Sequence, residues 1–537
     1  MTMSIKKIAA LALATVLASP AQADSLSLGK QGLRLLGEQG QVLDEVQLRA
    51  KRWDQRQLAD GSPLALLQDA DSGELLLLQA TAGRLKTVAR WPGPEFNLEA
   101  LCLYRDPQQL LQVFLLGDEG LGEQWLLAET APQLKPLKQA RAMRQLAAAP
   151  GVKACVVRDE SAELLYVEPG VGLWASATNP ERAGRHLLAP APITLEAGLA
   201  AHPAVAAPAL PRAVLPVGQT EPVRGQGDAA DDPAIWVHPT QPARSLVLGT
   251  DKKRGLAVYD LQGHERQFLP VGRVNNVDLR QGLRWADWRG DLAVATHRDE
   301  NSVVLFEVQR SGRVQVLAHL PTTLTDIYGL CSGRNPQGGL DVFVNDKEGH
   351  FQQLRLQRPA GQWRTETVAA VKLESQPEGC VADERGRQVF IGEEKRGIWR
   401  LGTDEQGRMS APQMVLPVGG LLTADVEGMA IHNGPQGRRL VVSSQGSDSY
   451  VVLNADAPHA VIGDFRIGVN AAAGIDAVSE TDGLDVVSAN LGGAFSEGLL
   501  VVQDGHKRWP TTRQNFKLVP WKAVREALGQ PRVAGAK

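Results

Sequence analysis

Residues 246–261 read LVLGTDKKRGLAVYDL, two apolar runs separated by the polar turn Asp251-Lys252-Lys253-Arg254-Gly255. Short runs rich in valine and leucine, broken by a turn that ends in glycine, form a β-hairpin. The unit recurs at intervals of about 50 residues, as LAVATHRDENSVVLFEV (292–308), DVFVNDKEGHFQQLRL (341–356), VFIGEEKRGIWRL (389–401), LVVSSQGSDSYVVLN (440–454) and LLVVQDG (499–505). Six such units are what a six-bladed β-propeller requires. A propeller's innermost strands ring a central channel, so polar residues at their ends meet at one mouth of it.

The first half carries the same pattern in diverged form. Hairpins read LALLQDADSGELLLLQA (64–80), QVFLLGDEGLGEQWLLAET (112–130) and ELLYVEPGVGLWAS (163–176). Without a gap, Leu101-Cys102 aligns on Leu330-Cys331 and Val113-Phe114 on Val342-Phe343, an offset of 229 residues (330 − 101). Cys155, Glu168 and Trp174 likewise fall on Cys380, Glu393 and Trp399, an offset of 225 (380 − 155). The predicted architecture is therefore all-β: an incomplete, propeller-like domain over 24–188, an Ala/Pro-rich linker over 189–217 and a six-bladed propeller over 218–537.

Composition sets the outer bounds. At 537 residues the chain exceeds one ordinary core, and 43% hydrophobic with 22% charged residues is the balance of a soluble globular protein. Residues 1–23 combine Lys6 and Lys7, the apolar run 8–17 and Ala21-Gln22-Ala23, which predicts a cleaved signal peptide and a secreted or periplasmic protein. Removing those two lysines takes the formal charge from −3 to −5 (−3 − 2), which gives no electrostatic case for nucleic acid. No segment is long enough to span a bilayer. The four cysteines stand far apart in apolar settings, and buried free thiols are the expectation for them.

The chemistry starts at DAADDPAIWVHP (228–239), where Asp228, Asp231 and Asp232 crowd ahead of an apolar strand. Carboxylates this close repel unless a cation joins them, and hard cations such as Ca²⁺ take several oxygen ligands. Equivalent loop positions in later units carry Lys252-Lys253-Arg254, Asn275-Asn276, Arg298, Tyr328, Lys347, Glu378, Glu393-Glu394, Asp425-Val426-Glu427, Gln445, Asp482 and Asp504. Acids and bases alternating around one ring suit a phosphate held between metal ions and Lys/Arg.

The ordered motifs DDPAIWVHP, TDKKRGL, NNVDLR, ATHRDENSV, IYGL, NDKEG, QPEG, GEE, TADVEGM, SSQG and NFKLVPW resemble the β-propeller phytases over about residues 219–525. That family comprises alkaline, Ca²⁺-dependent phosphatases acting on inositol phosphates, and the first half resembles the incomplete propeller of its dual-domain members. The resemblance implies several Ca²⁺ ions held by Glu221, Asp231, Asp232, the Val277 carbonyl, Glu378, Asp425 and Glu427, with Asp482 and Asp504 at further ions. It implies a phosphate clamp of Lys252, Arg298, Tyr328 and Lys347, and an adjacent phosphate near Lys253 and Glu394. The substrate would be phytate as its calcium complex, attacked by metal-bound water without a phosphoenzyme; neither an RHGxRxP nor an HCx₅R motif is present. Another Ca²⁺-dependent propeller hydrolase, of lactonase or phosphotriesterase type, would leave the lysines and Arg298 without a task, and a non-catalytic propeller would release no phosphate. In the first half Tyr328 is matched by Glu99, Lys347 by Glu119 or its neighbour, Glu378 by Lys153 and Glu394 by Pro169, so that half is expected to be inactive.

Overall fold

The computed structural model describes residues 24–182 and 184–529, and the expected signal segment lies outside the described residues. The second half forms six radial antiparallel sheets. Their inner strands are Ala230–Trp236, Val274–Arg284, Ile327–Arg334, Pro377–Asp383, Val426–Gly434 and Leu484–Val487. We number the blades one to six in that order.

Blades pack face to face, so a middle strand is covered on both sides. Leu246–Asp251 and Leu340–Asp346 are buried at every position, and each carries an apolar run, Leu246-Val247-Leu248 and Val342-Phe343-Val344, instead of alternating with exposed residues. Outermost strands such as Arg364–Lys372 meet solvent and alternate. Between blades one and two, Trp236 and Val258 pack with Ala293 and Phe306. Full burial of a side chain such as Phe306 contributes about 1.5–3 kcal/mol. Blade six is closed by the start of the propeller, because Gly218–Gln219 pairs with Asn515–Pro520 as its outermost strand.

The first half forms four sheets, one of three strands and three of four. The internal repeat is structural. Inner strand Leu98–Arg105 corresponds to Ile327–Arg334 at the predicted offset of 229 (327 − 98). The indole N–H of Trp174 donates to Glu168 at 2.7 Å, and that of Trp399 donates to Glu393 at 2.8 Å. The stretch expected to link the halves holds a short helix, Leu195–Ala201, capped by Thr194, and the strand Arg212–Val214, which adds in parallel to the edge of blade five. The halves meet through Leu110, Leu126 and Met143 against Val469, Ala471, Ala477 and Trp509, and Glu181 accepts from Ser479 Oγ at 3.2 Å.

The expectation of free thiols is overturned. Cys102 bonds Cys155 and Cys331 bonds Cys380, with Cα–Cα distances of 6.0 and 5.5 Å. Their separations of 53 and 49 residues are one blade each, so each pair occupies matching positions on neighbouring inner strands.

Candidate active site

Five of the six inner strands are irregular at the same place. The register slips between Ala230 and Pro233, Val274 and Val277, Ile327 and Leu330, Pro377 and Cys380, and Val426 and Met429. A bulge bends the strand and re-aims a side chain. The residues it frees are Asp231-Asp232, Asn275-Asn276, Tyr328-Gly329, Glu378-Gly379 and Glu427-Gly428; Asp482-Gly483 stands just ahead of the sixth inner strand. The glycines allow the ring to close. A Cβ on Gly379 would lie 2.3 Å from the Glu427 carbonyl, and one on Gly483 2.2 Å from Asp232 Oδ1. Lys252, Arg298, Lys347, Glu394 and Gln445 each follow the last residue of a second strand, which brings them to the same mouth.

Buried carboxylates form the floor. Donor oxygens of Glu378, Glu394 and Glu427 lie within 4.8 Å of one another, and Glu427 Oε2 has no hydrogen-bond partner. Burial and then the charge of Asp231 push the Glu378 carboxyl up to about 8. Burial first, and then neighbouring acids, hold Asp232 and Glu427 well above the carboxylate range. Asp482 is pushed up to about 7 by burial, against the opposing pull of Lys252. Such a donor set fits an oxygen-seeking cation, whose arrival would relieve the repulsion.

Lys252 lies against these acids, 2.7 Å from Asp228, 3.2 Å from Asp231 and 2.9 Å from Asp482. Burial works against its charge, but Asp231 and Asp482 overcome that and raise its pKa. Asn275 Nδ2 donates to Glu378 at 3.1 Å and to Asn276 at 3.0 Å, and its Oδ1 accepts from Arg298 at 3.3 Å. The Tyr328 ring stands between Arg298 at 5.3 Å and Lys347 at 4.9 Å. Burial, reinforced by Glu378 and Asp231, raises the Tyr328 phenol and keeps it a proton donor. Arg298 Nε is buried without a partner. One mouth thus presents a bare acceptor for a cation and a bare donor for an anion.

The remaining predicted residues fall around this centre. Asp232 Oδ2 accepts from the Val277 N–H at 3.1 Å. Glu394 accepts from Gln376 Nε2, and Lys395 pairs with Asp425 at 3.5 Å. Lys253 is exposed and donates to the Gln226 carbonyl at 2.6 Å. Two residues do not join the cluster. Asp504 is the last residue of its second strand, one position short of the lysine in blade one, and successive strand side chains point to opposite faces. It accepts instead from the buried Lys517 at 2.7 Å. Glu221 is exposed and accepts from the Glu265 N–H at 3.0 Å. Sequence reasoning left Asn275 and the bulge glycines without roles, although the recurring YG, EG, EG and DG dipeptides mark those glycines. The channel below the mouth encloses a cavity of about 350 Å³ edged by Asp232 and Asn276.

The family model described as Phytase matches residues 183–534. The chain belongs to the phytase family. A curated relative, the 3-phytase of Bacillus subtilis (strain 168), is 33% identical over 324 residues, covering 58% of this chain and 84% of the relative. A crystal structure of a functionally unknown protein from Desulfotomaculum acetoxidans DSM 771 covers 73% of this chain and 91% of its own at 12% identity, with a TM-score of 0.29, too low to bear on the fold. The phytase match takes in all six blades and stops short of the first half's inner strands. There the bulge persists between Leu98 and Ala100, but the residue it frees, Glu99, is tied to Arg52 at 2.8 Å and Lys153 at 3.4 Å.

Proposed function

We propose that this phytase-family chain is a calcium-dependent phosphomonoesterase of 3-phytase type, hydrolysing phytate, as its calcium complex, to lower inositol phosphates and phosphate. The observation that carries the reading is the meeting, at one channel mouth, of the buried acids Glu378, Glu394 and Glu427 with Lys252, Arg298 and Lys347. Calcium would be held by Asp231, Asp232, the Val277 carbonyl, Glu378, Asp425, Glu427 and Asp482; when bound, it offsets the repulsion between an anionic substrate and an incoming nucleophile. Glu221, which is exposed, and Asp504, which lies on the opposite face of its strand end, are left out of this ligand set.

The chain's own groups do the remaining work. Arg298, Lys347 and the Tyr328 hydroxyl bind the oxygens of the phosphoryl group being transferred, where charge builds up. Lys252 stays protonated among its carboxylates and adds a fixed positive charge beside the reacting centre. Lys253 and Glu394 flank the place of a neighbouring phosphate. Without an RHGxRxP or HCx₅R nucleophile motif, water displaces the inositol oxygen directly. The first half, with Glu99 where Tyr328 stands, is a non-catalytic domain. The protein is exported to the periplasm or beyond, a reading that its two disulfides support.

The test is phosphate release from phytate with calcium, after EGTA treatment, and after calcium is restored. Release that stops with EGTA and returns with calcium is the expected result. No release under any of these conditions would overturn the proposal.

A further inference from the structure

We propose that His297, Glu300 and His319 form a second metal centre, suited to a divalent transition cation of zinc type and separate from the carboxylates of the mouth. His297 ends the second strand of blade two, Arg289–His297; Glu300 lies in the turn that follows, and His319 sits on the outermost strand, Val314–Pro321. One donor atom from each lies within 4.8 Å of the other two, and the imidazole rings meet edge to face at 5.4 Å.

The buried histidine points to a ligand. His297 is 4% exposed, and its Nε2 lies 2.6 Å from the Val271 carbonyl. That contact keeps the proton on Nε2 and leaves the lone pair on Nδ1. Nδ1 is buried with no hydrogen-bond partner, and the nearest Glu300 oxygen is 3.9 Å away. Metal-bound histidines characteristically give one N–H to a carbonyl or carboxylate and the other nitrogen to the ion. Glu300 Oε2 accepts from His319 Nδ1 at 3.0 Å, and both side chains are exposed, at 56% and 38%, so they can turn toward the bare nitrogen.

Two imidazoles and one carboxylate, with a fourth position open to water, are a donor set that zinc accepts. Calcium, which takes about six to eight oxygens, does not fit it. Nearby Asp299 pairs with Arg273 at 3.5 Å and is not counted among the donors. A cation here would tie the outer strand of the blade to the turn that begins at Arg298.

The experiment uses the untagged full chain kept in excess calcium, which occupies the carboxylates of the mouth. Zinc is titrated in competition with a chromophoric chelator, into the parent protein and into His319→Gln and Glu300→Gln, both exposed changes that spare the core. The expected result is one equivalent of zinc bound by the parent, with affinity falling at least about tenfold in each variant. Zinc should also raise the parent's melting temperature more than either variant's. Equal affinity in parent and variants, or no binding below millimolar zinc, would overturn the proposal.

Discussion

Replacing Glu378 by glutamine should stabilise the calcium-free protein and remove much of what calcium adds. Glu378 shares its buried site with Glu394 and Glu427, and its carboxyl is pushed up to about 8 from an ordinary value of 4.5. A carboxyl whose folded pKa is raised weakens the fold once pH passes its unfolded value, and the loss grows until the pH reaches the folded one. At pH 7.5 a shift of this size costs about 4 kcal/mol. Glutamine has the same shape, still accepts from Asn275 Nδ2, now at 3.1 Å from Glu378, and can donate to the bare Oε2 of Glu427. Guanidinium unfolding in EGTA at pH 7.5 should find the variant more stable by about 2–4 kcal/mol, a difference that closes toward pH 4.5. On the proposed function, calcium should reverse the order, because a ligand bound only by the folded state adds about 2.7 kcal/mol at one hundred times its Kd. The parent should gain this and the variant less. A variant less stable than the parent in EGTA, or one with an equal calcium gain, would refute the reasoning.

Lys252→Met should lower kcat for phytate by about 10²–10³-fold and, without calcium, cost about 3–5 kcal/mol of stability, because it strips the partner from buried Asp231 and Asp482; steady-state kinetics and unfolding curves measure the two. Burial pulls the His432 imidazole, stacked on Trp521 at 3.9 Å, down to about 4 from 6.5. Stability is therefore full above pH 6.5 and falls as the pH drops toward 4, by about 2 kcal/mol between pH 7.5 and 5; unfolding curves of His432→Gln should lack this component. A fragment starting at residue 210 keeps Arg212–Val214 and Gly218–Gln219 and should hydrolyse phytate, whereas the complementary fragment should not. The active fragment should also be less soluble, because it uncovers Val469, Ala471, Ala477 and Trp509.

The blades were legible because a middle strand covered on both faces carries a short apolar run such as Leu246-Val247-Leu248, and because the repeat spacing is the blade itself. Much of the polar cluster at the mouth follows from one pattern, because the first five units carry polar residues at the same two positions, the bulge and the residue after the second strand. Asp504 stands one strand position away from the place Lys252 holds in blade one, which in a β-strand is the difference between one face and the other. The cysteines were misread because apolar flanks describe a buried thiol and a buried disulfide equally well. The clue was their spacing, since cysteines one blade apart on inner strands are neighbours.

The strand that closes the ring has a consequence for the order in which the protein is made. Gly218 pairs with Leu518, 300 residues further on (518 − 218), so the propeller stays open until Leu518 has been synthesised. The four sheets of the first half use no strand beyond Pro190 and can finish long before. Its apolar face at Leu110, Leu126 and Met143 then waits for Val469 to Trp509, which begin 326 residues after Met143 (469 − 143). During biogenesis the first half can therefore be folded before the half that matches the phytase family closes its ring.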